Sequence, residues 1–245
     1  MIHDYLQRGV AAGLVAGLAY GLYMVLVGNP LSEYVHDAGH DHGHAHEHAH
    51  AVSETTTAIV SAGSGVLWAI FLGGVFAIAL YLFEPALPGR GDVKAFVLAG
   101  VGFFSISVTP WLALPPAAPG AENLYGIDTR LAMYLGLVVA GIAVSAAAIG
   151  AYNRFQTRHV GFGLSAAAVP ILAAVVLIPT LTPTVVTHPD LPAELVTTYQ
   201  GLAALSQAAL WVLIAGAFTR LRRWSDRGAD RSTRPTGEAD ALSGS

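Results

Sequence analysis

The segment GHDHGHAHEHAH, residues 39–50, places a histidine at every second position from His40 to His50. In an extended chain, alternate side chains project to the same side about 6–7 Å apart, so this pattern presents a row of imidazoles along one edge. Imidazole nitrogen binds Zn, Cu, Ni and Co, and nearby carboxylates can add oxygen ligands. We call residues 39–50 the histidine ribbon and predict that it captures a divalent transition metal. The candidate ligands are His36, His40, Asp41, His42, His44, His46, Glu47, His48 and His50.

The ribbon alone does not determine which metal is bound. Affinity for such ligands rises along the divalent series to copper, so a preference for cobalt or nickel must come from elsewhere in the system or from metal supply. Protons compete for the same nitrogens, and capture should therefore fade below about pH 6.5, the ordinary pKa of imidazole. The alternatives are a pH-sensing loop, a loop that merely keeps the segment soluble, and a low-complexity segment that arose by chance.

The composition of the chain is that of a membrane protein. Hydrophobic residues make up 54% and charged residues 11% of the 245 positions, and the mean hydropathy is +0.56. These values lie outside the usual range of soluble domains. The chain has no cysteine, so any metal must be held by nitrogen and oxygen. The net charge of −4, without a basic stripe, excludes nucleic acid as an expected partner.

Apolar runs predict an all-α integral membrane protein with six transmembrane helices. A bilayer core of roughly 30 Å requires about 20 apolar residues in a helix, because unpaired backbone groups are not tolerated in lipid. The predicted spans are residues 9–28, 61–83, 94–114, 129–151, 161–182 and 201–220. Together they form a membrane domain over residues 1–224.

The arginines and the single lysine predict the orientation of these spans. They cluster in the connections after the second and fourth spans and after the sixth, so the positive-inside rule places both termini in the cytoplasm. Residues 29–60, which carry the ribbon, then form an extracytoplasmic loop. Residues 225–245 lack apolar periodicity and are predicted to be a disordered cytoplasmic tail. The chain contains far more arginine than lysine, which favours a prokaryotic source and therefore the plasma membrane as its location.

Small residues and prolines predict how the spans pack. Gly9, Gly13, Gly17 and Gly21 recur every four residues and should form a face for close helix approach. Proline removes a helical hydrogen bond, so Pro110 in span three and the two prolines of span five should kink or break their helices. Such a break can expose carbonyl oxygens to an ion.

The predicted spans contain almost no ionisable side chains. Pumps coupled to protons or charge usually keep acidic or histidine residues at mid-membrane, so their absence argues against a stand-alone energised pump. A helical H-E-x-x-H zinc motif is also absent, and no nucleophile and base pair lies within a span. We therefore do not expect an enzyme.

The remaining candidates lie in the other predicted outer connections. Arg130 is their only basic residue and follows Glu122 and Asp128. It either forms an ion pair or snorkels at the membrane surface, or it fixes an outer gate. His188 is either a surface residue beside a helix cap or part of a second ligand set at the pathway mouth. Glu33, beside the ribbon, either passes ions towards the membrane or is simply solvated.

Two segments resemble the CbtA family of predicted cobalt transporter subunits. A glycine-rich first span leads into Asn29-Pro30-Leu31-Ser32-Glu33, which is similar to the family's Pro-and-Glu segment. After span three, Trp111-Leu112-Ala113-Leu114-Pro115-Pro116-Ala117-Ala118-Pro119-Gly120 is followed by Glu122, Arg130 and Tyr134, similar to the family's proline-rich run. A Lys-Tyr pair and an Asn of the family pattern are apolar here, so ligation by that Asn is not carried over.

The resemblance implies five or six membrane spans and a role in cobalt uptake with a small single-span, His-bearing companion, CbtB. It also implies that Pro115, Pro116, Glu122 and Arg130 belong to an outer gate or pathway. We therefore predict a permease, or a permease subunit, for a divalent transition metal, with cobalt preferred and nickel or zinc as alternatives. The competing hypothesis is a non-transporting metal-binding or assembly subunit.

Overall fold

The computed structural model describes residues 2–40, 54–183, 185–189 and 191–232, and within them the chain is almost entirely helical. Two short π-helical turns interrupt the α-helices at Met24–Gly28 and Phe104–Val108, and two strands of two residues each pair at one end. We call these turns the first and the second π-turn. The helices are α1 Ile2–Tyr23, α2 Asn29–His40, α3 Glu54–Phe83, α4 Val93–Phe103, α5 Thr109–Trp111, α6 Ile127–Phe155, α7 Val160–Leu181 and α8 Ala193–Ser232, and the strands are β1 Glu122–Asn123 and β2 Val186–Thr187.

Six helical segments in the described residues are long and apolar enough to cross a membrane, and all six predicted spans fall on them. The prediction of a six-helix membrane protein is thus confirmed at this level. The segments are Ile2–Ala38, Ile59–Phe83, Val93–Trp111, Ile127–Phe155, Val160–Leu181 and Ala193–Arg227. The side of the membrane on which each end lies follows from the charge rule and stays a prediction.

Several predicted boundaries were wrong. Residues 29–40, assigned to a loop, continue the first helix as α2, and α8 extends to Ser232 into the predicted disordered tail. Adding residues to an existing helix avoids the nucleation cost, so a span can extend into polar sequence. The third span ends at Trp111 rather than at residue 114, and Leu114, the residue before Pro115, is itself biased away from helical geometry. Residues 233–245 lie outside the described part.

The glycine face of the first span is the contact surface predicted for it. Gly9, Gly13 and Gly17 pack tightly on α3, whereas Gly21 does so less closely. A Cβ added to Gly13 would lie 2.8 Å from the Cα of Ile70. Across the contact, Gly73 is equally restricted, because a Cβ there would lie 2.8 Å from the Cα of Gly13. Close backbone approach of this kind is how membrane helices associate without a hydrophobic driving force between them.

Helix α8 packs between α1 and α4 and completes the core. Its Leu210, Ile214 and Phe218 are fully buried, and Phe218 meets Phe76 of α3 edge to face with ring centroids 5.7 Å apart. Trp211, also on α8, packs against Gly102 of α4, where a Cβ would collide with the indole ring. The bundle of α1, α3, α4 and α8 is therefore the compact part of the molecule.

Helices α6 and α7 form a hairpin at the side of this bundle. The hairpin contacts the rest of the protein chiefly through the second π-turn and α5. Helix α7 is continuous through Pro170 and Pro179, so the predicted break in span five does not occur. Below the π-turn, a groove of about 620 Å³ separates α4 from the hairpin, and Ser145 and Tyr152 are the polar side chains that line it.

Candidate functional site

The second π-turn lies directly before Pro110, at the position where the sequence predicted a disturbed helix. Thr109 bonds to the Phe104 carbonyl through its backbone N–H, in the register of a π-helix, and through its hydroxyl at 2.9 Å. Proline has no N–H to offer the Ile106 carbonyl four residues earlier. The Tyr134 hydroxyl donates to that carbonyl at 3.2 Å. The proline thus frees a backbone oxygen, and a side chain from α6 binds it.

Further polar side chains are buried beside this turn. The hydroxyls of Ser105 and Ser145 lie 3.2 Å apart, one donating to the other. The helices come this close because Gly141 has no side chain: a Cβ there would lie 2.8 Å from the Cα of Ser105. We call Ser105, Ser107, Thr109, Tyr134 and Ser145 the polar seam. Its side chains are neutral oxygen groups, and π-turns of this kind are frequent at functional sites.

One end of the bundle is covered by a cap, which we define as residues 112–126 and 185–189. Strands β1 and β2 pair antiparallel with Glu122 opposite Thr187, and the Leu124 N–H extends the pairing to the Val185 carbonyl at 3.0 Å. Val185 and Ala118 are buried in the cap. The structure therefore brings together the two connections in which the sequence placed separate gate candidates.

His188 holds the two halves of the cap together. Its Nε2 accepts a hydrogen bond from the backbone N–H of Ala118 at 3.1 Å, so the Pro-rich turn is tied to the segment after β2. From α8, Gln200 Nε2 donates to the Pro116 carbonyl at 3.3 Å. A nitrogen that accepts this bond is not available as a metal ligand at the same time. The geometry favours a structural role for His188 over a second ligand set.

Arg130 does not form the predicted ion pair in the described part of the chain. Its Nη1 donates to Asn123 Oδ1 at 2.6 Å, while its Nε is buried and has no hydrogen-bond partner among the described residues. Arg130, Pro115 and Tyr134 line a cavity of about 360 Å³ beneath the cap. Arg130 thus fixes β1 from below, as a gate residue would, and Tyr134 connects this cavity with the polar seam. The side chain of Glu122 is exposed.

Only part of the predicted metal site is within the described residues. Glu33 and His36 are exposed on α2, three positions apart and hence on one helix face. Among the described side chains, no three histidines or carboxylates lie close enough together to hold a metal. The backbone of His40 is described as the last residue of α2, one turn beyond His36. The other ligand candidates lie outside the described residues: Asp41, His42, His44, His46, Glu47, His48 and His50.

At the opposite end, a charged cluster that the sequence did not reveal joins four helices. Glu84, just after α3, accepts hydrogen bonds from the Tyr5 hydroxyl at 2.7 Å and from Arg222 at 3.3 Å. Lys94 donates to the Glu84 carbonyl at 2.6 Å. The Tyr5 hydrogen bond lowers the pKa of Glu84 most, and the positive charges of Arg222 and Lys94 lower it further, against the effect of burial. An acidic residue directly after an apolar run was the available signal.

These features define a class: a multi-pass α-helical membrane protein with a capped polar seam at a π-turn. The family model described as "Probable cobalt transporter subunit (CbtA)" matches residues 2–223, nearly the whole helical bundle. The chain belongs to the CbtA family, as its sequence resemblance indicated. Comparison with curated proteins and with solved structures returned no match.

Proposed function

We propose that this chain is the membrane subunit of an uptake system for a divalent transition metal, with cobalt as the transported ion. The observation that carries the proposal is the family match over residues 2–223. The capped polar seam adds a physical reason, because it places backbone and hydroxyl oxygens inside an otherwise apolar bundle. The lipid bilayer is the environment of all six spans.

The proposed pathway begins at the cavity beneath the cap. An ion entering there meets Tyr134 and the Ile106 carbonyl, then the hydroxyls of Ser105 and Ser145. These oxygens replace part of a hydration shell without adding a fixed charge. Arg130 repels cations at the entrance, so we assign to it a positioning role in the gate and not a ligand role.

The lower half of the pathway supports the subunit hypothesis over a permease that acts alone. Below Ser145, the groove between α4 and the α6–α7 hairpin is lined almost entirely by apolar side chains. Transferring an uncompensated charge into such surroundings is prohibitively unfavourable. We therefore infer that a second chain lines the groove when ions pass, and the single-span companion, CbtB, that the CbtA resemblance implies would be long enough to do so.

The histidine ribbon would act as a collecting antenna on the extracytoplasmic side. Helix α2 supports this role, because it holds His36 and the start of the ribbon on a rigid extension of the first span. The remaining ribbon residues supply imidazoles at high local density. The alternative is that the chain serves only to bind or assemble, and the feature that favours it is that the polar seam, as defined above, contains no carboxylate and no histidine.

Uptake of radioactive cobalt by proteoliposomes tests the proposal. The purified chain is reconstituted alone and together with a single-span His-bearing companion, and nickel and zinc are used as competitors. We expect cobalt uptake only when both chains are present, and we expect nickel to inhibit that uptake more strongly than zinc does. Uptake by the chain alone would contradict the subunit hypothesis, and failure of both preparations would favour the binding or assembly alternative.

The ribbon is tested by replacing residues 39–50 with a Gly/Ser segment of equal length, which keeps the chain connection intact. We expect uptake to fall at scarce cobalt and to recover at abundant cobalt, since a flexible segment lacks the preorganisation of a selective pore site. Uptake by the intact chain at scarce cobalt should also decline below about pH 6.5 as imidazoles are protonated. Loss of uptake at every cobalt concentration would instead make the ribbon part of the pathway.

A further inference from the structure

One face of α8 carries a basic surface near its end that neither the cap nor the polar seam explains. Arg220, Arg223, Trp224 and Arg227 follow the spacing i, i+3, i+4, i+7 and therefore share one side of the helix. Arg222 lies on the other side, where it pairs with Glu84. The four arginines of this helix whose side chains are described thus divide into one that fastens the bundle and three that line a separate pocket.

That pocket has a volume of about 440 Å³ and is lined by both charged and aromatic side chains. We call it the basic pocket. Its remaining lining residues are Phe96, Gly216 and Thr219. The Arg220 guanidinium lies over the Trp224 ring, 4.8 Å from the centroid, which orients the charge through a cation–π contact. Phe96 of α4 is partly exposed beside it. The pocket is therefore lined by three guanidinium groups and by two exposed aromatic rings.

The positive charge of the basic pocket is only partly neutralised. Arg223 donates from Nε to Asp92 Oδ2 at 2.6 Å and is balanced by that carboxylate. Among the carboxylates whose side chains are described, none forms an ion pair with Arg220 or Arg227. Asp226 is not among the lining residues and acts on Arg222. Two guanidinium groups thus remain for an anion.

We propose that the basic pocket binds the phosphate of an anionic phospholipid. Planar guanidinium groups bind phosphate oxygens in pairs of parallel hydrogen bonds. The pocket lies where α8 leaves the apolar part of its span, and basic pockets between helices at this level bind anionic headgroups. Phe96 and Trp224 offer apolar contact to the glycerol and upper acyl chains. A free phosphate ion would use the guanidinium groups but not these two aromatic rings.

Native mass spectrometry of the purified full-length chain tests the site. The protein is taken from nanodiscs that contain phosphatidylglycerol and phosphatidylcholine in equal amounts, and the retained lipids are counted. We expect selective retention of phosphatidylglycerol by the unmodified chain. The double variant Arg220→Gln/Arg227→Gln should bind it about thirtyfold more weakly, which corresponds to about 1 kcal/mol for each arginine at a membrane surface.

The matched control is Arg154→Gln/Arg158→Gln, which removes two exposed arginines that do not line the basic pocket. It should retain phosphatidylglycerol as the unmodified chain does. Equal losses in both double variants would overturn the proposal, because they would show a general surface-charge effect. Equal retention of both lipids by the unmodified chain, which requires no variant to fold, would also overturn it. Displacement of the lipid by excess inorganic phosphate would assign the pocket to free phosphate instead.

Discussion

The contact between α1 and α3 makes a quantitative prediction from two glycines of the same face. A Cβ at Gly13 would lie 2.8 Å from the Ile70 Cα, and closer to the Ala69 carbonyl oxygen. Non-bonded carbons usually lie about 3.5–4.0 Å apart. At Gly21 the nearest atom, the Ala62 carbonyl oxygen, would be at 3.4 Å, which is ordinary contact. Gly13→Ala therefore forces the backbones apart, whereas Gly21→Ala does not.

The two substitutions should change the free energy of unfolding in opposite directions. Alanine stabilises a helix over glycine by roughly 0.5–1 kcal/mol. Overpacking a tight contact costs about 1–3 kcal/mol. Gly13→Ala should therefore destabilise the bundle by about 1–2 kcal/mol, while Gly21→Ala should stabilise it by up to about 1 kcal/mol. The opposite signs arise from space alone, because the chemical change is identical.

The assay is equilibrium unfolding in mixed detergent micelles with increasing sodium dodecyl sulfate, followed by circular dichroism. The unmodified chain and the two alanine variants are compared at the same total detergent. A result in which both variants are stabilised, or both are equally destabilised, would refute the reasoning that backbone approach at Gly13 holds α1 on α3. Helix content in the folded baseline should be unchanged in both.

Three further predictions concern the cap, the polar seam and the charged cluster. His188→Ala should lower the unfolding free energy by about 0.5–1.5 kcal/mol and leave cobalt binding at equilibrium dialysis unchanged; weaker cobalt binding would make His188 a ligand. Tyr134→Phe should slow cobalt uptake by reconstituted vesicles more than it lowers stability, and unchanged uptake would remove Tyr134 from the pathway. Because the pKa of Glu84 is lowered in the folded state, its contacts stabilise the bundle above the ordinary carboxyl pKa and are lost on acidification. Glu84→Gln should therefore reduce the acid-dependent change in thermal unfolding temperature, and an unaltered pH profile would contradict this.

The six spans could be predicted because the bilayer imposes a length of apolar sequence that is visible without any structure. The extension of the last helix could not, since residues 225–232 carry no apolar periodicity and continue a helix that the span before them has already nucleated. The extension of the first helix had a signal that the loop assignment overlooked, because Leu31, Tyr34, Val35 and Ala38 follow the helical spacing i, i+3, i+4, i+7. Proline at position 110 indicated a disturbed helix but not its form. Whether such a helix kinks, breaks or forms a π-turn depends on the neighbour that satisfies the freed carbonyl, here Tyr134 of α6.

The candidate site was predictable in its parts and not in its assembly. The Pro-rich turn, Arg130 and His188 were each identified as candidates from residue type and charge. Their arrangement around one cap depends on strand pairing between segments more than sixty residues apart. Strands of only two residues leave no recognisable pattern in the sequence, so this pairing could not be predicted. An ion pair of Arg130 was one of the alternatives that the sequence left open, and proximity to Asp128 could not decide it, because residues two apart on a helix do not face each other; in the described residues Arg130 binds Asn123.

Helix α2 has a consequence for the ionic surroundings in which metal capture would take place. Its 12 residues advance the chain by about 18 Å beyond the end of the first π-turn. The ionic atmosphere of charged lipid headgroups decays over about 8–10 Å in physiological salt. With Gly28 near the bilayer edge, the backbone of His40 lies about two such lengths away, where the membrane changes the cation concentration only weakly. The metal affinity of the histidine ribbon should accordingly be nearly the same above neutral and above acidic lipids.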